Sequence, residues 1–419
     1  MPETDTASSK PSLWARLTSG GPVIVTIFAL VLGFVVGALI IITTTTAVLD
    51  AWRGIFNGWG APGHALKVTF DNVGAAYRTM FTGSVISPIG FWNSLTTGQG
   101  WANTLTPISE TLTYATPLVI ASIGVGITFQ TGIFNIGANG QAVLGGISGA
   151  VVGSMVHMPT ILHLPLTLGA GIAGGMLVGA VPGVLKAYTG AHEVIVTIML
   201  NYVVYAFLLF AVLSTAFQQP GQQNDISRTM DPSSQLAPIF GVSSGLRVSY
   251  GIFVAVAVVI FAWWFLERSS MGFEFRVTGA NPAAAKASGI NPRAVLIVVF
   301  LISGGLAGLG GVVQAASTTH FIDGGFLIGN AGIGFTAITV ALLGRNRPVG
   351  IVWASLLFAA LGVGGRAMQA STGIPLDLAT VIQSVVVLFV ATPVLVKEIF
   401  RLRGDSANAI RLATKGWGA

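Results

Sequence analysis

The chain has no cysteine at all among its 419 residues, so disulfides and thiolate chemistry are excluded. Charge is almost as scarce. Only 8% of residues are Asp, Glu, Lys or Arg, against 53% apolar. The six lysines are followed by Pro11, Val68, Ala187, Ala287, Glu398 and Gly416. None has the Ser or Thr that follows the lysine of a phosphate-binding loop, which excludes an ATPase of that type. The five histidines do not cluster with carboxylates at metal-ligand spacing, and no nucleophile stands beside a base, so neither a metal site nor a cofactor is implied. The excess of six positive charges is spread between hydrophobic segments instead of forming one basic surface, which speaks against nucleic acid.

What the chain does have is a succession of uncharged apolar stretches near the ~20 residues that span a bilayer. The expected fold class is therefore all-α: a polytopic membrane protein of about ten helices. Spans are expected near 23–49, 107–131, 133–156, 164–185, 193–216, 248–266, 293–316, 330–344, 348–369 and 377–396. Residues 1–21 form a tail, 22–396 the membrane domain and 397–419 a second tail. With both termini in the cytoplasm, fourteen Lys and Arg fall inside and six outside, of the 20 present. That is the positive-inside bias, carried most strongly by the short loop GRNRP at 344–348. Residues 50–106 then lie outside, with Trp52, Trp59, Phe91, Trp92 and Trp101 suited to the headgroup level. Residues 217–247 read as an ordinary polar outer loop.

Glycine is abundant, 55 residues, and ordered. Gly171, Gly175, Gly179 and Gly183 recur every fourth residue, as do Gly145, Gly149 and Gly153, giving two helices smooth faces for close packing. FNIGANG at 134–140 and FLIGNAG at 326–332 form a faint internal echo.

Three carboxylates have ordinary local explanations. Glu110 follows Thr106-Pro107, an N-cap and first-turn pair, and Glu193 and Asp377 stand at span starts, where negative charge is favoured. Glu193, Thr197, Asn201 and Tyr205 also recur at four-residue spacing and make a polar stripe along one helix. Interhelical glue and a translocation lining both fit that stripe. Asn135, Asn139 and Gln141 sit among glycines, and Gln314 and Gln369 add uncharged polar groups in later spans. Amides both donate and accept, which suits hydroxyls and base edges of a small neutral solute.

The segment GANPAAAKASGINP at 279–292 is polar in apolar surroundings. Asn281 and Pro282 predict an N-cap and first helical residue, the alanines a short helix, and Gly289 a left-handed terminus, with Asn291-Pro292 starting the next span. A connector or an element seated on a separate ATPase both fit, and the missing nucleotide site favours the second.

Three blocks in this order, GIFNIGANGQAVLGG at 132–146, GAHEVIVTIMLNYVV at 190–204 and GANPAAAKASGI at 279–290, resemble the permease subunits of bacterial ABC importers of the nucleoside and simple-sugar type, over about residues 105–396. Asn139 departs from the family form NIGxEGQ, where an acid is common. The resemblance implies a ten-helix permease translocating nucleosides across the cytoplasmic membrane. Its partners would be ABC ATPase subunits, a second permease subunit and an extracytoplasmic substrate-binding lipoprotein. It implies no catalysis by this chain. Residues 267–292 would be the ATPase-docking loop, with Gly279, Asn281, Pro282, Ala284, Ala285, Lys286 and Gly289 as coupling residues. Simple sugars, branched-chain amino acids, or an ATP-independent channel or carrier are the alternatives.

Overall fold

The computed structural model describes residues 22–55, 61–222, 224–326 and 332–400. Among them the regular structure is helical: α1 (Pro22–Thr44), α2 (Thr46–Arg53), α3 (Ala61–Ser84), α4 (Pro88–Thr97), α5 (Trp101–Gln130), α6 (Ala138–Met155), α7 (Thr160–Thr189) and α8 (Glu193–Leu213) come first. Then follow α9 (Gly251–Arg268), α10 (Ser270–Ala280), α11 (Pro282–Ala287), α12 (Pro292–Gln314), α13 (Gly332–Leu343), α14 (Pro348–Thr372), α15 (Asp377–Ala391) and α16 (Pro393–Ile399). All ten expected spans coincide with a helix. Seven of these helices are long and apolar enough to cross a membrane. The other three are α6, α13 and α15, of 18, 12 and 15 residues. At 1.5 Å per residue α13 covers roughly 18 Å, short of the ~30 Å hydrocarbon core. The chain is thus an all-α, multi-pass membrane protein.

The chain divides into two compact units, residues 1–73 with 377–419, and 74–376. In the first, α1 packs on α15, where Gly33 lies against Val386 and Ile382. Val25, Ala29 and Val396 are buried there, and Phe28 stacks on Phe400 at 4.2 Å. Trp52 Nε1 donates to Thr69 Oγ1 at 2.9 Å, tying α2 to α3. Residues 50–106, expected to carry interfacial segments, contain α3 and α4 whole, with 24 and 10 residues.

In the second unit α5 and α12 are the most enclosed spans and α8 and α9 the most exposed. The glycine face of α7 lies on α12, the most extensive helix pairing in the chain. Backbone meets backbone there: Gly175 faces Gly304 and Gly308, and Gly179 faces Phe300 and Gly304. Gly145 of α6 reaches Gly308 as well, so three helices converge on one residue without a side chain. Glycine every fourth residue is what makes this approach sterically open.

Two local expectations are corrected. First, α5 begins at Trp101, so Pro107 lies inside the helix and Glu110 is not in a first turn. Glu110 instead accepts from Arg247 Nη1 at 3.3 Å, a pairing from a distant loop that no local pattern encodes. Second, residues 217–247 are not an ordinary polar loop. Met230, Leu236, Ser227 and Ser234 are buried, and the backbone is pinned to helix ends. Asp231 N donates to Gly153 O at 2.7 Å, Leu236 N to Ala316 O at 2.9 Å, and Ser109 Oγ accepts from Arg247 N at 2.8 Å. α12 closes into a π turn at Ala315–Thr319 against this loop. Residues 1–21, residues 401–419 of the second tail, Trp59 and most of FLIGNAG lie outside the described residues.

Candidate functional site

The first site is a buried polar cluster where α6, α8, α12 and α13 meet. Asn135, Asn139, Gln141, Thr197 and Ser303 are fully enclosed and Asn201 nearly so. Asn135 Nδ2 donates to Gln141 Oε1 at 2.8 Å and Ser303 Oγ at 2.9 Å, while Asn135 Oδ1 accepts from Gly137 N at 3.0 Å. Asn201 Oδ1 accepts from Gly140 N at 2.8 Å, and its Nδ2 donates to Ile136 O at 3.1 Å. Asn139 Nδ2 donates to Tyr205 Oη, and Asn139 Oδ1 accepts from Gly334 N at 2.9 Å.

These bonds have a common cause. α5 ends at Gln130 and α6 starts at Ala138, so the backbone between them leaves helical geometry inside protein, where every N–H and C=O needs a partner. The amides supply those partners. Gly137 allows Thr197 to lie against it, and Gly140 and Gly334 bring backbone up to Asn201 and Asn139. Of the residues marked in the sequence, Asn135, Asn139, Gln141, Thr197, Asn201 and Tyr205 are thus brought together: Asn135 bonds Gln141, Asn139 bonds Tyr205, Asn201 bonds the backbone of Ile136 and Gly140, and Thr197 donates to its own helix at Glu193 O. Of the stripe, Asn201 and Tyr205 bond across to the 136–140 segment. Asn139 uses the amide in both directions, donating to Tyr205 and accepting from Gly334.

Glu193 belongs to a different contact. Its carboxylate meets Lys186 Nζ at 2.5 Å across the α7–α8 turn, with a side chain 12% exposed. Gln314 is half-buried roughly three turns along α12 from Ser303, and Gln369 is exposed near the end of α14. Neither joins the cluster. Arg366 lies over the Tyr114 ring at 4.1 Å, a cation–π contact. Ser303 is the member that sequence reading missed. A lone serine in an apolar span has no periodic signal to distinguish it.

Replacing Asn201 by leucine is expected to leave Gly140 N and Ile136 O buried without partners. At about 1–3 kcal/mol for each such group, a clear fall in detergent thermal-unfolding temperature is expected.

The second site is the polar segment. Asn281 Oδ1 accepts from Ala283 N and Ala284 N at 3.0 and 3.1 Å, α11 covers Pro282–Ala287, and Gly289 takes φ 84°. Asn291 caps α12 through Arg293 N. Asn281, Pro282, Ala284, Lys286 and Gly289 are exposed, but Ala285 is fully buried within the chain's own fold. Gly279 is seated against Gln130 and Thr131 at the end of α5. Gln130 Nε2 in turn donates to Asn346 O at 2.7 Å, in a turn where Arg345 and Asn346 are left-handed, φ 55° and 57°. α10, which precedes the segment, was not expected.

Residues 108–391 match the family described as branched-chain amino acid transport system, permease component. The chain belongs to that family. It is 33% identical over 307 residues to the guanosine ABC transporter permease protein NupP of Bacillus subtilis, covering 72% of this chain and 86% of the relative. It is 32% identical to the nucleoside ABC transporter permease protein NupB of Lactococcus lactis, over 74% of this chain and 85% of the relative. It is also 32% identical to the glucose ABC transporter permease protein TsgB13 of Haloferax volcanii, over 72% and 82%. No solved structure matches the chain. As an ABC permease this membrane protein is a transport component and not an enzyme, and its system includes ATPase and substrate-binding partners.

Proposed function

We propose that the chain is the membrane-spanning permease of an ATP-driven nucleoside importer, with both termini and residues 267–292 in the cytoplasm. The observation that carries the reading is the polar segment: a short, capped helix whose exposed face is Pro282, Ala283, Ala284 and Lys286, seated by Gly279 on the end of the most enclosed span. A helix of six residues is marginal by itself, but the Asn281 cap and buried Ala285 hold it, so a partner pressed on it has a preformed, shallow face to grip. The ATPase would push there and the push would enter α5. A second permease subunit would complete the conduit, and a substrate-binding lipoprotein would deliver cargo at the opposite face, beside Arg366 and the 217–247 loop.

Nucleosides are favoured because NupP and NupB carry guanosine and nucleoside in their names, while charge-poor amide chemistry suits a neutral cargo. Glucose is the second reading, on the strength of TsgB13. Proteoliposomes holding the chain with its ATPases and binding protein decide the matter. Labelled guanosine is expected to accumulate only with ATP and to resist competition by glucose. Uptake by the chain alone would overturn the ATP-driven reading, and glucose uptake without guanosine uptake would replace the cargo.

A further inference from the structure

Beside the polar cluster, at the end of the chain that carries the docking segment, lies a cavity of roughly 310 Å³ lined by Phe129, Phe134, Asn135, Ile136, Phe335, Ile338 and Thr339. Its volume falls at the low end of the ~300–1,000 Å³ range typical of small-molecule pockets. Phe134 and Phe335 are 49% and 43% exposed, and the Phe129 ring meets Phe134 edge-on at 5.1 Å. Three aromatic rings thus border one cavity and supply faces on which a planar ring can stack.

The chemistry of the lining is selective. The Asn135 amide is spent on Gln141, Ser303 and Gly137, so it holds the wall and offers a ligand nothing. The Thr339 hydroxyl donates to Phe335 O at 3.2 Å, which leaves its lone pairs as acceptors. No charged side chain lines the cavity. A hexose has no planar π face to lay on these rings, whereas a planar base stacks on aromatic faces and can set an edge N–H on the Thr339 acceptor.

The same pocket is tied to the docking segment. A Cβ on Gly279 would stand 2.6 Å from Gln130 O and 2.8 Å from Thr131 Cα, so the segment rests directly on backbone. Gln130 and Thr131 are the residues that follow Phe129 and lead, through Gly132 with φ 72°, to Phe134. A shift of the segment therefore bears on the chain between two walls of the pocket.

We infer that this cavity binds the planar base of the solute on its passage, and that the docking segment sets its width through Gly279. The inference rests on the nucleoside reading and names where that solute is held.

The test uses the transporter assembled with its ATPases and binding protein in nanodiscs, photolabelled with 8-azidoguanosine. Labelled peptides are expected to contain Phe134 or Phe335, with labelling that differs between ATP-bound and nucleotide-free states. Phe134→Leu and Phe335→Leu are expected to raise the KM for guanosine about tenfold while thermal stability is kept. Gly279→Ala, whose methyl would press on Gln130 O and Thr131, is expected to change the nucleotide dependence of the labelling in transporter that keeps its ATPases bound. Wild-type uptake of guanosine with label only elsewhere, or with KM unchanged in both leucine variants, overturns the inference alone. An unchanged KM with loss of co-purified phospholipid would identify an acyl-chain seat and overturn it equally. Wild-type transporter that does not take up guanosine overturns the nucleoside reading and this inference with it. A Gly279→Ala variant that keeps its nucleotide-dependent labelling overturns the link to the docking segment.

Discussion

Replacing Gly175 by leucine is expected to abolish accumulation of folded chain in the membrane. A Cβ at this position runs into the carbonyl oxygen of Gly304 and stands 2.8 Å from both N and Cα of Gly308. The obstruction is backbone on a neighbouring helix, which no rotamer change relieves. Relief would require α7 and α12 to separate, and α12 also carries α6 and α5. The penalty should lie above the ~1–3 kcal/mol of an ordinary overpacked core, against total stabilities of about 5–15 kcal/mol. Size-exclusion profiles of the detergent-extracted protein give the readout. Gly169, which faces no heavy atom within 4 Å, is the control, and its leucine variant should elute as wild type. A normal profile for Gly175→Leu would show that this glycine face is not the packing surface described.

The second large effect concerns the docking segment. Ala284→Arg is expected to leave insertion and thermal stability unchanged while weakening ATPase association about thirtyfold, the scale of a single interface hot spot. ATP-driven uptake should fall with it. Co-purification of the ATPase and uptake in proteoliposomes measure the two effects. Ala285→Arg should behave differently, since Ala285 is fully buried and a charge there disrupts the chain's own fold first. Full uptake by Ala284→Arg would place the ATPase contact elsewhere.

The contrast between these two alanines shows how far sequence reaches. Asn281, Pro282, Gly289 and Asn291 act on their nearest neighbours, through side-chain caps and a left-handed φ, so the helix and its ends were legible from spacing. Which alanine faces inward depends on how α11 is seated. Gly279 on Gln130 and Thr131 fixes that seat, about 150 residues away along the chain. Thr106-Pro107 fails for the complementary reason. The helix runs back to Trp101, where Thr104 Oγ1 bonds Ser94 Oγ at 2.8 Å and the Trp101 ring meets Phe91, and Thr106 Oγ1 donates back to Ala102 O instead of capping.

The membrane class, the positions of ten apolar helices and the glycine face are set by composition and period, because hydrocarbon imposes its requirement on each segment separately. The missing ATPase loop is likewise a property of the linear chain. Only tertiary structure decided that the glycines of α7 meet those of α12, that Glu110 pairs with Arg247 and Glu193 with Lys186, and that the amides of 135–141 bond Ser303, Asn201 and Tyr205. It also decided that three phenylalanines from two distant segments enclose one cavity. Such contacts arise from the relative placement of helices that lipid treats alike. The free energy selecting that placement is spread over backbone approaches and buried hydrogen bonds, which leave no periodic trace in the sequence.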